Sequence, residues 1–404
     1  SYLRIHWRGA ALMSRPLSLS SRAEALHPSL TLEINARAKA LQQEGRDICS
    51  LSAGEPDFDT PDFIVEASIE ALRNGITRYG PAAGDPHLRE LIAAKISNSN
   101  GIPTTAAQVL VTNGGKQAIY NLFQVLLNPG DEVLIPAPYW LSYPEMARLA
   151  GARPVAVPSS ADDGFRLDLN ALEAAISPAS RVLVINSPSN PTGRVLSREE
   201  LLSIAELVRR HPRLVVMSDE IYEYLLDDDV THFSFASLAP DLQDRCFMVN
   251  GFAKGWAMTG WRLGYLSGDQ SVIKAASALQ SQSTSNVCSF AQQGAVAALS
   301  APMDCVKTMA ESYNRRRAFL VTGLEKLSGI TLVPPQGAFY AFPQLPEACG
   351  DSMSFCHRAL EEEGLAIVPG AAFGDDRCVR VSCAVSRETI TDGLARLARL
   401  LAVN

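Results

Sequence analysis

A lysine can do covalent chemistry where its charge is easily lost, and Lys254 stands in such a place. It follows an apolar run, Arg245 to Val249, and precedes Gly255-Trp-Ala-Met-Thr-Gly-Trp-Arg262-Leu-Gly264. On a loop leaving a buried strand a lysine can form a Schiff base with a carbonyl, whereas on an exposed helix it adds only solubility. A second apolar run, Leu214 to Met217, ends in Ser-Asp219-Glu-Ile-Tyr222 and so places a carboxylate and a phenol at another strand end. Arg262 adds a planar fork of donors suited to two oxygens of a phosphate. Together these residue types suit pyridoxal phosphate. That cofactor withdraws electrons from a substrate carbanion while its pyridine nitrogen stays protonated, and a buried aspartate, here Asp219, favours the charged ring. The Tyr222 phenol can donate to the cofactor's 3'-oxygen and hold down the basicity of the imine.

A third strand end supplies an anion cradle. Gln108 to Thr112 reads as a strand, Asn113-Gly-Gly115 as a tight turn, and Lys116 to Leu127 as a helix with Ile119, Leu122, Phe123 and Leu126 on its apolar positions. Free amides at the helix start, and its macrodipole, favour a dianionic phosphate. Taken alone, glycine turns before helices are common. Asp219 alone also reads as a helix cap, and Tyr79 and Trp140 as core aromatics. Arg380, in a short apolar strand, is harder to place in a core, because a buried unpaired guanidinium is costly and expects an anion.

Lys254 with Met258-Thr-Gly-Trp-Arg262-Leu-Gly-Tyr resembles the lysine signature of class I and II aminotransferases, pyridoxal-phosphate enzymes of fold type I. Ser52-Ala-Gly54-Glu-Pro-Asp-Phe, Thr-Arg-Tyr79-Gly-Pro, Pro138-Tyr-Trp140, Asn186-Ser-Pro-Ser-Asn190-Pro-Thr-Gly193 and Val379-Arg380-Val-Ser extend the likeness in the same order. It covers the chain from about Leu19 and is nearest to bacterial-type aspartate aminotransferases. The resemblance implies that Arg380 pairs with the substrate α-carboxylate, that Asn190 supports that carboxylate and the 3'-oxygen, and that Trp140 stacks over the pyridine ring. Gly54 would admit the substrate backbone, Gly115 and the Lys116 amide would join Arg262 at the phosphate, and the Lys116 ammonium would meet a distal carboxylate. Tyr79 would reach the phosphate in a neighbouring subunit, which implies a homodimer with shared sites.

Two positions depart from the pattern. Many relatives carry a serine three residues before the lysine where this chain has Gly251, which leaves phosphate binding to the other groups. Relatives that use prephenate tend to carry a lysine where this chain has His27, a residue only partly charged near neutrality. The implied reaction moves an amino group between aspartate or glutamate and 2-oxoglutarate or oxaloacetate. Lys254, displaced from its imine by the substrate amine, would act as the base, and the kinetics would be ping-pong. Prephenate, aromatic or alanine transamination are the alternatives within the family, and an effector-sensing module is the alternative outside enzymes.

Length and composition agree. The chain has 404 residues, 47% hydrophobic, and can bury a large core as two lobes of one enzyme. A net charge of -7 argues against bulk binding to nucleic acid or anionic membrane. No apolar run approaches the roughly 20 residues of a spanning helix. The eight cysteines show no paired spacing, which fits reduced thiols and a cytoplasmic location, and the six histidines form no metal-ligand pattern. Residues 1–23 carry no acid and resemble a transit segment; an upstream extension before a start at Met13, or sequence left over from cloning, is the preferred alternative.

These residues need an α/β scaffold to converge. Apolar runs at 108–112, 132–136, 181–185, 214–217, 245–249 and 263–266 alternate with helices, among them one capped by Ser197-Arg-Glu-Glu200 that runs to Arg210, one opened by Asp85-Pro86, and one ended by Gly364. The pattern predicts a large lobe with a mostly parallel mixed sheet flanked by helices, its ligand beyond the strands' carboxyl ends at Gly114, Asn186, Asp219 and Lys254. A helix from Asp304 to Leu327 and strands near 331–333, 338–342, 365–369 and 378–384 predict a smaller α+β lobe. The expected division is an N-terminal extension (1–18), a segment packing with the small lobe (19–62), the cofactor lobe (63–290) and the small lobe (291–404).

Overall fold

The computed structural model describes residues 17–27 and 29–402, so Met13 and residues 1–16 of the expected extension lie outside the described residues. In chain order the strands are β1 (Cys49–Ser50), β2 (Val109–Thr112), β3 (Glu132–Pro136), β4 (Arg153–Val157), β5 (Ser180–Asn186), β6 (Val215–Asp219), β7 (Cys246–Gly251), β8 (Gly264–Ser267), β9 (Tyr340–Ala341), β10 (Leu365–Ala366), β11 (Val368–Pro369) and β12 (Val379–Ser382).

The main sheet has the order β2-β8-β7-β6-β5-β3-β4. Strands β3 to β7 pair in parallel, and β8 runs antiparallel between β7 and β2. Both faces are covered, which is why its inner strands are near-continuous apolar runs. Val109 and Val111 belong to one core and Leu110 to the other, as the two-residue period of a strand requires. The helix Gly114–Leu126 lays Ile119, Leu122 and Phe123 on one face, and Arg198–Arg210 lays Leu201, Ile204 and Val208 on the other. Each such side chain contributes about 1.5–3 kcal/mol by leaving water.

Strand β4 was not expected from the sequence. It is an edge strand with one neighbour, exposed at Arg153 and Ala156, and it tolerates Pro154, so no continuous apolar run announces it. The expected caps are present: Ser197 Oγ accepts from Glu200 N while Glu200 Oε2 accepts from Ser197 N, Asp85 caps Leu88 N ahead of Pro86, and Gly364 ends its helix at φ +62°.

In the second lobe β11, β12 and β9 form an antiparallel sheet, packed by the helices Asp304–Leu324, Ser352–Glu363 and Arg387–Ala402. The expected strand at 331–333 is only a single bridge, Thr331 to Gln344, because Pro334 and Pro335 follow and cannot donate to a ladder. The long helix stops at Leu324, three residues before the expected Leu327. Strand β1 pairs in parallel with β10, tying the N-terminal segment to this lobe. The helix Ser289–Ser300 crosses the expected boundary at 290 and packs on the helices Asp62–Arg73 and Pro86–Ser99. Among the described residues no helix is long and apolar enough to cross a membrane.

Candidate active site

Because β5, β6 and β7 run in parallel and β2 shares their direction through β8, the segments after all four strands emerge at one edge of the sheet. A cavity of about 620 Å³ opens there, against β12 of the second lobe. Lys254, Asp219, Tyr222 and Arg262 line it, as do Gly115, Lys116 and Trp140. From the second lobe's side come Arg380 and Gly54, with Asn190 between. A separate void of about 70 Å³ lies behind Tyr143, and its cation, Arg194, is already paired with Glu200.

Lys254 donates from Nζ to the Gly54 carbonyl at 2.5 Å and has no carboxylate partner among the described residues. Burial, then the neighbouring Arg380, pushes its pKa down to about 8, so about a tenth of it is neutral, nucleophilic amine at pH 7, far more than for an ordinary lysine. Asp219, 5% exposed, ends β6. Burial raises its pKa to about 6, opposed by the Tyr143 hydroxyl, which donates to Oδ2 at 2.6 Å, and by the Ile221 amide at 3.3 Å from Oδ1. No helix follows, so the cap reading of Asp219 is corrected: the chain turns at residues 221–224 and only one amide is satisfied.

Arg380 sits in β12 at 2% exposure with no acid beside it among the described residues. Nη1 donates to Asn190 Oδ1 at 3.0 Å and Nη2 to the Ser52 carbonyl at 3.1 Å, while Nε has no partner. The guanidinium lies over the rings of Tyr340 (4.4 Å) and Phe373 (5.0 Å), which fixes its plane. A buried cation of this kind is costly until an anion arrives.

The helix Gly114–Leu126 begins two residues before the expected Lys116, so the two glycines are its first turn rather than a turn preceding it. Asn113 gives no side-chain cap, which leaves the first amides for a ligand. Gly114 has φ +78°, and a Cβ there would lie 2.7 Å from Arg262 Nη2, so only glycine lets the arginine cross the helix start. Arg262 adopts a left-handed φ of +57° and donates to Thr259 O at 3.0 Å and Asn113 O at 3.3 Å. Gly251 has a packing cause: a Cβ on it would lie 2.7 Å from Gly264 Cα and 2.8 Å from Leu263 O, so a serine would force the strands apart.

Lys116 Nζ lies 4.9 Å from the Trp140 ring, and its pKa is lowered by burial and by Arg262. Two expected residues lie outside the cavity lining. Tyr79 is 91% exposed, which also removes the reading of it as a core aromatic. His27, 76% exposed in its side chain, is held at Glu145 by its amide (3.3 Å) and by Nδ1 (3.4 Å). Sequence reasoning missed Tyr143 and Tyr340. Tyr143 lies three residues beyond Trp140, and burying a phenol beside a carboxylate was its available signal; Tyr340 becomes visible only once β9 pairs with β12.

The residues fit pyridoxal phosphate. An amine without an acid, a buried carboxylate for a ring cation, a glycine-opened helix start under an arginine, and an orphaned guanidinium Nε surround one cavity. A two-lobed α/β fold with such a lysine at the sheet's carboxyl edge defines the class of fold type I transferases. The comparison with known proteins then gives the family: the profile of Aminotransferase class I and II matches residues 46–397, and the chain belongs to that family. It is 48% identical over 398 residues to a bifunctional aspartate aminotransferase and glutamate/aspartate-prephenate aminotransferase of Petunia hybrida, covering 95% of this chain and 83% of that one. An aspartate/prephenate aminotransferase of Cereibacter sphaeroides is 43% identical, covering 94% of this chain and 97% of the relative. Among solved structures, aspartate aminotransferase from Thermus thermophilus with maleate is similar at a TM-score of 0.91 and 43% identity, covering 95% of this chain and all of that one. The Rhizobium meliloti aspartate aminotransferase reaches a TM-score of 0.92 at 38% identity, covering 96% and 99%.

Proposed function

We propose that this enzyme is a pyridoxal-phosphate-dependent aminotransferase acting on aspartate and glutamate with 2-oxoglutarate and oxaloacetate as acceptors. The observation that carries the reading is a single cavity holding a lysine amine and a buried arginine, neither with a carboxylate partner among the described residues, beside a buried aspartate. Bound cofactor would supply the electron sink that stabilises negative charge on the substrate α-carbon.

The protein's residues do the rest. Lys254 would hold the cofactor covalently and, once released, carry the α-proton on Nζ. Asp219, oriented by Tyr143, would keep the ring nitrogen protonated. Arg262, Gly115 and the Lys116 amide would take the phosphate, Tyr222 and Asn190 would donate to the 3'-oxygen, and Trp140 would cover the ring. Arg380 would bind the α-carboxylate through its free donors, with Gly54 leaving room for the backbone, and the Lys116 ammonium would meet the distal carboxylate.

Exposed Tyr79 supports a homodimer in which it reaches the partner's phosphate site. We also propose a cytoplasmic location and a division into an N-terminal segment, a cofactor lobe and a small lobe, the cofactor lobe keeping the helix Ser289–Ser300 that packs on it. The relatives' names support prephenate as a second substrate, though His27 is turned to Glu145.

Single amino acids added to the loaded enzyme test the reading through the change in cofactor absorbance on amino transfer, reversed by oxo acids. Aspartate and glutamate are expected to react fastest; no response to any amino acid would overturn it.

A further inference from the structure

Tyr222 and Tyr340 bring their hydroxyl oxygens to 2.8 Å, and both side chains are buried. Among the described residues neither oxygen has another hydrogen bond. A phenol carries one proton and two lone pairs, so one member of the pair must donate and the other accept. Were Tyr222 the donor to Tyr340, it would turn a lone pair toward the cofactor's 3'-oxygen, setting two acceptors against each other. The direction that suits the site is the reverse.

From this geometry we propose that Tyr340 is a positioning residue: its hydroxyl donates to Tyr222 and thereby commits the only proton of Tyr222 to the cofactor's 3'-oxygen. The inference rests on the function proposed above. A donor that is itself a hydrogen-bond acceptor is polarised by the bond it receives, which strengthens the bond it donates by about 10–30%. The charged and titratable groups around the pair are Arg380 (4.4 Å from the Tyr340 ring), Lys254 (5.7 Å from the Tyr222 ring), Asp219, Glu55 and Cys383. Burial raises both phenols' pKa values despite Arg380, so both keep their protons at neutral pH and the direction of donation is not lost by ionisation.

The Tyr340 ring has a separate duty, since it covers the Arg380 guanidinium. Tyr340→Phe removes the hydroxyl and keeps that cover, whereas Tyr340→Leu removes both. The test is a pH titration of the visible absorbance of the pyridoxal-phosphate-loaded enzyme, with the dissociation constant of unreactive succinate as a second readout. Weakening a donor to the 3'-oxygen favours the protonated imine, so Tyr222→Phe should raise the apparent pKa. Tyr340→Phe should raise it by a smaller amount, on the order of a few tenths. In the Tyr222→Phe background Tyr340→Phe should add nothing, an outcome that a merely structural role would not give. Succinate binding should be unchanged in Tyr340→Phe and weakened about 2- to 30-fold in Tyr340→Leu, the range of a cation–π contact. If Tyr222→Phe shifts the titration and Tyr340→Phe does not, the inference fails while the function stands. If the Tyr340→Phe shift persists in the double variant, the relay through Tyr222 is wrong. If Tyr222→Phe itself titrates as the wild type, the placement of Tyr222 fails and takes the inference with it.

Discussion

The segment Ser218–Glu223 serves two regions that treat charge in opposite ways. Asp219 and Tyr222 face the cavity, where among the described residues neither Lys254 nor Arg380 is paired with a carboxylate. Glu220 and Glu223 turn into a network at 2% and 7% exposure in which both carboxylates are partnered, although His232 Nδ1 is not. There Glu220 accepts from Ser218 (2.8 Å) and Ser234 (2.6 Å) and meets His232 Nε2 (2.8 Å), while Glu223 binds Lys95, Asn100 and Asn250. Glu220, Glu223 and His232 are close enough to hold a metal, but Lys95 already supplies the positive charge. Buried charge that is fully partnered belongs to the scaffold; buried charge left open marks where a ligand completes the protein.

The comparison breaks if the two regions respond alike to mutation. The largest effect is expected at Lys254→Ala, with steady-state amino transfer falling by about 10⁴-fold or more while noncovalent cofactor binding survives. Arg380→Leu should lower kcat/KM for α-amino acids by about 2–5 kcal/mol, roughly 30- to several-thousand-fold. Its folding stability should hold or rise, because an uncompensated buried charge is removed.

On the scaffold side the signs invert. Glu223→Gln should cost about 3–5 kcal/mol of stability in urea titrations by stranding Lys95, with amino transfer retained in the folded fraction. Desolvation opposes the raised pKa of His232, but its bond to Glu220 and the charges of Glu220 and Glu223 win. A group raised on folding stabilises fully below its unfolded pKa, about 6.5, and the contribution is lost as pH rises through the folded value. The stability difference between wild type and His232→Gln should therefore shrink from pH 6 toward pH 9. The smallest effect is at Lys116→Ala: selectivity for aspartate over alanine should drop about tenfold or more, the worth of one charge-assisted hydrogen bond, about 1.5–3 kcal/mol. Intact selectivity would remove Lys116 from the distal carboxylate.

The cavity side was legible in the sequence because each group stands at the end of an apolar run. Lys254 and Gly115 follow, and Asp219 ends, strands whose burial on both faces leaves them unbroken, so the positions of the chemistry could be read from where hydrophobicity stops. Arg380 was legible for the converse reason, as a charge inside such a run. What stayed hidden depends on pairing between distant segments. Strand β4 alternates and carries a proline at the sheet edge, and Tyr340 meets Tyr222 only because the second lobe folds back over β6. The network around Glu223 was equally invisible, since Lys95 and Asn100 at the end of one helix meet Glu223 and Asn250 from distant parts of the chain. The likeness of Gly251 to a lost phosphate ligand was a feature of sequence alone; in the structure it is the close approach of β7 and β8.

The central claim is that Lys254 is the covalent attachment point. Its pKa of about 8, set by burial and Arg380, readies it to react near neutrality. The direct measurement is borohydride reduction of the enzyme loaded with pyridoxal phosphate at pH 8, followed by proteolysis and mass mapping. One reduced adduct per chain on the peptide containing Lys254, absent in Lys254→Ala, is the predicted result. An adduct on Lys116 or another lysine, with Lys254 unmodified, would contradict the account.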